Sequence, residues 1–275
     1  MKFNIVLVQP GDNTGYPHAQ CFTEIAHVLR YGLEDLGHQV ILGGRLYKDC
    51  VNIVLGYQFF WGKRLPEGYR YVVYQLEELS ENEGWSLTML ETLRSPCVVW
   101  DFNEQNVQFL ADRGIKAICK PIGYHPKMEW IGKDKLEDVD ILFYGSLNDR
   151  RKRILSRLQN KFDVRVLFGV YGRERDQWIS RSKMVLSIYY YETKLFDDVR
   201  MSYLMNNKVF TIVEDAPNKK YEDLLVYADY GSLIECCDYY LHHETLRNQI
   251  AEKAYHGFKQ YPEVEFLQQA LSLSF

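Results

Sequence analysis

Short runs of β-branched and aromatic residues alternate along this chain with stretches whose apolar positions recur every three to four residues. Phe3–Val8 is the first such run and predicts a strand. It ends in Pro10-Gly11-Asp12-Asn13-Thr14-Gly15, a turn-rich segment. From Ala19 to Leu36, Phe22, Ile25, Ala26, Leu29, Leu33 and Leu36 keep helical spacing, and Gly37-His38 ends that helix. Gln39–Leu42, Asn52–Leu55, Tyr71–Tyr74, Cys97–Trp100 and Lys116–Cys119 predict further strands, with helices over Glu83–Leu93 and Glu104–Arg113. Strands that alternate with helices imply a parallel sheet covered on both faces.

Pro121-Ile122-Gly123-Tyr124-His125-Pro126 and the polar stretch Gly132–Asp138 interrupt the pattern and mark a domain boundary. The alternation then restarts. Val139–Tyr144, Val164–Phe168, Met184–Ile188 and Val209–Val213 read as strands; Asp149–Asn160, Arg173–Arg181 and Phe196–Met205 read as helices. The remainder reads as helical: Gly231–Tyr240, Glu244–Gln260 and, after Tyr261-Pro262, Glu263–Leu273. The expected division is an N-terminal domain over residues 1–124, a second over 125–260, and a C-terminal helix over 261–275 that returns to the first.

Composition narrows the function classes. A net charge of −4 argues against general, charge-driven binding to nucleic acid or anionic membrane, although a local basic site remains allowed. The six cysteines form no CxxC and no Cys/His metal spacing, so a reducing, cytoplasmic compartment is expected. Met1–Val8 is too short an apolar run for a signal peptide, and no window approaches the roughly 20 apolar residues of a spanning helix. HExxH, GxSxG and a GKS/T phosphate loop are absent. Asp138-Val139-Asp140 has the DxD spacing but precedes a strand, the wrong edge for a metal–diphosphate.

Two segments can carry chemistry. In Val139–Arg153 a buried strand runs into Gly145 and then into the start of a helix. Glycine allows close backbone approach, and a helix N-terminus offers free N–H groups and partial positive charge, which suits phosphate. Ser146 and Asn148 can hydrogen-bond there, and Arg150, Arg151 and Arg153 add cations. The bland alternative is a capped helix with a solvated basic face. Tyr189–Arg200 follows the next strand but one and so lies on the same rim, where open α/β sheets bind ligands. Glu192 can accept two sugar hydroxyls, Lys194 can hold a diphosphate, and Arg200 lies a turn into the helix.

In the first half, the Gly11–His18 loop lacks GxGxxG. His18 is a candidate base or binder of a second substrate, against the commoner case of an exposed loop histidine. Glu77 and Glu78 stand at another strand end. Trp61 and Tyr57 are a possible acceptor platform, with aromatic core as the plainer reading.

With these segments in place, the chain resembles a GT-B glycosyltransferase, similar to the family 4-type (group 1) enzymes and to short bacterial or viral members. Lys120–Pro126 resembles the family's inter-domain "P-N-G-V-D…F-x-P", and Asp140–Asn148 its "I-L-F-V-G-R-L". Ser182–Val213 resembles the segment built around its E-x7-E motif, and Leu36–Val40 its "L-G-H-E-V". Tyr190-Tyr191-Glu192, Asp197 and Arg200 through Leu204 and Asn206 match a "Y-Y-E-x-x-x-x-E-x-x-R-x-S-Y-L-L-x-N" pattern of the short members.

The resemblance implies an α/β fold of two Rossmann-like domains facing a central cleft. It implies a hexosyl- or pentosyltransferase that takes its sugar from a nucleotide diphosphate sugar, a UDP-sugar first, with no metal or other cofactor and with retained configuration. Donor contacts would fall to Gly145, Ser146, Asn148, Arg151, Tyr191, Lys194, Leu195, Phe196, Asp197 and Arg200. Glu192 and His18 would be catalytic. Gly11, Asn13, Gly15 and Glu77 would line the acceptor side. Two departures stand out: the second acid of the motif is not clean among Asp197, Asp198 and Arg200, and the family's Gly-Phe-Gly is Thr193-Lys194-Leu195. The acceptor is open among polysaccharide, lipid-linked sugar, protein, small molecule and modified DNA base. Rival readings are a catalytically silent nucleotide-sugar-binding module and a nucleotide-sugar 2-epimerase.

Overall fold

The computed structural model describes residues 1–10, 17–81, 84–132 and 136–275. It divides into two units, Met1–Lys127 with Tyr261–Phe275, and Met128–Gln260. The first unit holds β1 (Lys2–Leu7), α1 (Thr23–Asp35), β2 (Gln39–Gly43), β3 (Val51–Leu55), β4 (Arg70–Gln75), α2 (Gly84–Leu93), β5 (Val98–Asp101), α3 (Glu104–Ala111) and β6 (Ala117–Cys119). Every strand pair is parallel, in the order β2-β1-β3-β4-β5-β6. Val51–Leu55 and the inner positions of β1 and β4 are buried throughout, as a parallel sheet covered on both faces requires.

The second unit holds β7 (Val139–Tyr144), α4 (Asp149–Gln159), β8 (Val164–Leu167), α5 (Gly172–Ser180), β9 (Ser182–Ser187), α6 (Asp198–Asn206), β10 (Thr211–Glu214), β11 (Val226–Ala228), α7 (Leu233–Leu241) and α8 (Glu244–Phe258). Its sheet is also parallel, in the order β11-β10-β9-β7-β8. Ile141, Phe143, Met184, Leu186 and Ile212 from the sheet pack on Ile154, Leu158 and Leu233 from the helices. β11 adds a strand to an end that was expected to be mostly helical. Three residues at a sheet edge carry too little apolar periodicity to read as a strand.

The last helix, α9 (Glu263–Ser274), belongs to the first unit and packs on α1 and β6. A fully buried ion pair fastens it: the Lys120 ammonium, at the end of β6, donates to the Glu263 carboxylate, which also accepts the Gly123 N–H at 2.7 Å. Burial lowers the Lys120 pKa and raises that of Glu263, while each opposes the other's shift. Trp100 Nε1 donates to Ser274 Oγ at 2.9 Å from the far end of the same helix.

Candidate functional site

In a parallel sheet the chain crosses right-handed from each strand to the next, so adjacent loops diverge where the winding reverses. In the second unit β7 lies between β8 and β9, so this reversal falls between β7 and β9. The loops that leave those two strands are Gly145–Asn148 and Ile188–Asp197. Both segments singled out in the sequence therefore meet at the switch point.

Gly145 has φ +138, a region that L side chains rarely adopt. A Cβ there would stand 3.1 Å from Arg200 Nη2 and 3.6 Å from Arg151 Nη1, so the glycine backbone is flanked by two guanidinium groups. Arg151 is only 6 % exposed. Its Nη1 donates to Ser146 O at 2.8 Å and its Nη2 to Ile188 O, which ties the two loops together. Its ring neighbours are Phe143 and Tyr190, at 5.3 and 5.1 Å. Arg200 lies over the Tyr144 ring at 4.6 Å. Its Nε is 3.3 Å from Asp197 Oδ2, an ion pair without hydrogen-bond alignment. Arg151 Nε, Arg200 Nε and Arg200 Nη1 are buried donors with no hydrogen-bond acceptor among the described residues. Burial, and then the charge of Arg200, pull the Arg151 pKa down to about 10. Two like charges with unmet donors are held side by side on one rim.

The remaining predicted residues separate by role. Asn148 caps α4, its Oδ1 accepting the Arg151 N–H at 2.9 Å while its Nδ2 donates to Tyr190 O at 2.9 Å. Asp197 caps α6 by accepting the Arg200 N–H at 3.1 Å. Ser146 and Glu192 are exposed, and Tyr191 is half-buried against the Tyr190 ring at 4.9 Å. Leu195 and Phe196, expected among the donor contacts, precede α6 and bury their side chains in the core, Phe196 beside the Tyr221 ring. Lys194 was expected beside a diphosphate. Its ammonium instead pairs with Glu214 Oε1 at 2.9 Å and donates to Asp215 O at 3.2 Å.

Glu214 is what the sequence reading missed. It ends β10, is fully buried, and gathers four donors: both Arg150 Nη groups, the Lys194 ammonium and the Tyr189 N–H at 3.1 Å. Burial pushes its pKa up, but Arg150 and Lys194 outweigh burial and hold the carboxyl below its usual range. Arg150 is thus taken up by Glu214 and by Tyr230, whose ring lies 4.1 Å away. The available signal was an acid that ends an apolar strand on the ligand-binding edge.

In the first unit, His18 is half-buried in a 3-10 turn, Pro17–Phe22, that leads into α1. Glu77 follows β4. Its Oε1 accepts from Gln58 Nε2 at 2.8 Å, and its backbone is held by Gln75 and Asn106, which also bond the buried Asp101. Gly11, Asn13 and Gly15 lie outside the described residues. Asp138 and Asp140 stand at the amino edge of the second sheet, paired with Arg181 and Lys183. Among the described residues no group of three or more His, Cys, Asp or Glu is placed to hold a metal ion. No helix among them is long and apolar enough to cross a membrane.

No family profile matches the chain, and no curated protein matches it. Solved structures do. AviGT4, a glycosyltransferase involved in avilamycin A biosynthesis, superposes with a TM-score of 0.59 at 12% identity over 99% of this chain and 96% of its own. TarM superposes with a TM-score of 0.53 at 12% identity over 90% of this chain. A mutant of S. aureus TarM in complex with fondaparinux, alpha-GlcNAc-glycerol and UDP gives 0.58, also at 12% identity and over 90% of this chain. The chain spans 58% of TarM's length. At this identity the likeness is one of architecture, and with the two parallel sheets it establishes the GT-B fold, an α/β fold of two Rossmann-like domains.

Proposed function

We propose that this protein is a glycosyltransferase whose second unit binds a nucleotide diphosphate sugar, a UDP-sugar first, at the switch point between β7 and β9. The observation that carries the reading is the pair Arg151 and Arg200 against Gly145, with buried donors that have no acceptor among the described residues. Buried cationic N–H groups without acceptors are unfavourable unless an anion meets them. A diphosphate supplies charge and oxygens in the geometry a guanidinium fork matches. The GT-B fold and the UDP complex of TarM support the same ligand class.

In the reaction, the bond from the anomeric carbon to the β-phosphate oxygen breaks and a bond from that carbon to an acceptor hydroxyl oxygen forms. The acceptor proton leaves with the nucleoside diphosphate or on a side-chain base, for which His18 is the candidate. Arg151 and Arg200 offset the charge that grows on the departing diphosphate, with no metal required. Ser146 and the start of α4 border the phosphates. Glu192 and Tyr191 are assigned to the donor sugar, and Asp197 to the ribose. Gly11, Asn13, Gly15 and Glu77 serve the acceptor. Configuration at the anomeric carbon is retained, as the family resemblance implies.

A panel of nucleotide sugars tests this by thermal shift and by release of nucleoside diphosphate. A stabilising donor that is slowly hydrolysed supports the reading. A C2-inverted sugar product would instead indicate an epimerase, and saturable binding with no turnover under any acceptor mixture would indicate a silent module. Absence of any stabilising nucleotide sugar rejects the site.

A further inference from the structure

The first sheet reverses its winding between β1 and β3, so the loop after β3 lies beside its switch point. That loop is a left-handed bracket: Gly56 at φ 84, a 3-10 turn over Tyr57–Phe60, then Trp61 at φ 52 and Gly62 at φ 75. A bulky residue in left-handed backbone is strained and persists only where its surroundings enforce it. Here they do. Trp61 N–H donates to Gln58 O at 3.1 Å and Lys63 N–H to Phe60 O at 3.0 Å. Gly62 has no room for a side chain, since a Cβ would meet Thr88 O of α2 at 2.6 Å. Thr92 Oγ1 donates to Lys63 O at 2.8 Å, and Leu65 N–H to Ser95 Oγ at 2.9 Å. Tyr57 is buried, and Phe59 and Phe60 pack on the core beneath the turn. The fourth aromatic goes the other way: Trp61 is 66 % exposed. A rigid, strained turn therefore presents an indole to solvent.

Polar groups stand within one turn of it. Gln58, whose carbonyl accepts the Trp61 N–H, donates its side-chain amide to Glu77 Oε1, so the turn that carries the indole also carries an amide bonded to a carboxylate. A flat π face beside an amide–carboxylate pair matches a pyranose. The ring's axial C–H bonds carry partial positive charge toward the π face, and its hydroxyls meet the amide and carboxylate. Lys63 and Arg64, both exposed, follow Trp61 and suit a ring that bears a carboxylate.

We propose that Trp61, with Gln58 and Glu77, is the docking platform for a carbohydrate acceptor. This rests on the glycosyltransferase reading above and narrows its acceptor to those of the five open classes that present a sugar ring. Tyr57 leaves the expected platform for the core.

The test uses the full chain with methyl glucopyranoside, methyl galactopyranoside and methyl glucuronide, read by saturation-transfer NMR, and UDP in parallel. At least one probe receives saturation at its ring C–H protons. Trp61→Ala weakens that binding about tenfold, and Trp61→Phe recovers part of it, because a smaller π face remains. UDP affinity stays within twofold in both variants, and denaturant unfolding of the first unit unchanged from wild type shows that they are folded. No saturation transfer to any of the three probes overturns the proposal, as does equal glycoside binding in Trp61→Ala. So does a result in which Trp61→Ala abolishes only binding to phosphatidylcholine–phosphatidylglycerol vesicles, which would make the indole a membrane contact. Glycoside binding that depends on Trp61 in a chain that binds no nucleotide would spare the platform and reject the donor reading.

Discussion

The two sheets are wound alike, yet the residues along their carboxyl edges differ in chemistry. In both, the first strand of the unit lies between the second and the third. The second unit sets two arginines against a left-handed glycine there and leaves buried donors without acceptors. In the first unit, amides and carboxylates after β3 and at the ends of β4 and β5 bond one another: Gln58 to Glu77, and the buried Gln75 and Asn106 to Asp101. Topology selects the place on each sheet, and the side chains select the ligand. On the proposed reading, one rim takes an anion and the other a sugar.

The largest expected effect tests whether the units are separable. Removing one partner of a fully buried ion pair costs about 3–5 kcal/mol, because the other charge stays buried alone. Lys120→Met should destabilise the first unit by that amount in denaturant unfolding, while UDP binding by the second stays within twofold under native conditions. A loss below about 1 kcal/mol would mean that the Lys120–Glu263 pair does not fasten α9.

Asp198 gives the next effect and concerns the second rim alone. Burial raises its pKa to about 6, against the opposing pull of Lys220 at 2.8 Å. Unfolded, the carboxyl titrates near its ordinary value of about 4. The folded state thus holds the proton more tightly, and the contribution to stability is full below about pH 4 and lost as pH rises through 6. Wild type measured against Asp198→Asn should lose up to about 3 kcal/mol between pH 4 and 7. A flat difference, or one that grows with pH, contradicts the assignment.

Arg151→Ala should weaken UDP binding by about 2 kcal/mol, since it removes a charged donor and unties the Ser146 and Ile188 carbonyls. The matching change on the other rim, Glu77→Gln, should leave UDP affinity unchanged in the same titration. Gly145→Ala should have a smaller effect than Arg151→Ala, about 1 kcal/mol in UDP affinity, from backbone strain and a methyl 3.1 Å from Arg200. Calorimetry on the three variants ranks them, and an effect of Glu77→Gln as large as that of Arg151→Ala would erase the contrast between the rims.

Most of the architecture was legible because parallel strands are continuous apolar runs. Val139–Tyr144 matched residue for residue, and the other ten strands except β11 were found within two residues at either end. Asn148 and Asp197 were legible as polar residues at helix starts, and the structure makes them caps. The first helix was expected from Ala19, but Pro17–Phe22 forms a 3-10 turn and α1 begins at Thr23. Which cation goes where was not legible. Arg150 and Arg151 are adjacent on a helix and point some 100° apart, so one reaches Glu214 and the other Gly145. Lys194 is drawn to Glu214, a residue 20 positions away that sequence spacing does not connect to it. Partners across strands depend on sheet order, and sheet order is a property of the fold.

The most direct test is calorimetric titration of UDP, with ADP, GDP and the free nucleosides alongside, into the wild-type chain and Arg200→Ala. At least one nucleoside diphosphate should bind wild type with a stoichiometry of one, more tightly than its nucleoside. Arg200→Ala should weaken it about 100-fold, roughly 3 kcal/mol, as the loss of buried charged hydrogen bonds predicts. A diphosphate that binds Arg200→Ala as tightly as wild type, or no more tightly than its nucleoside, would contradict the account.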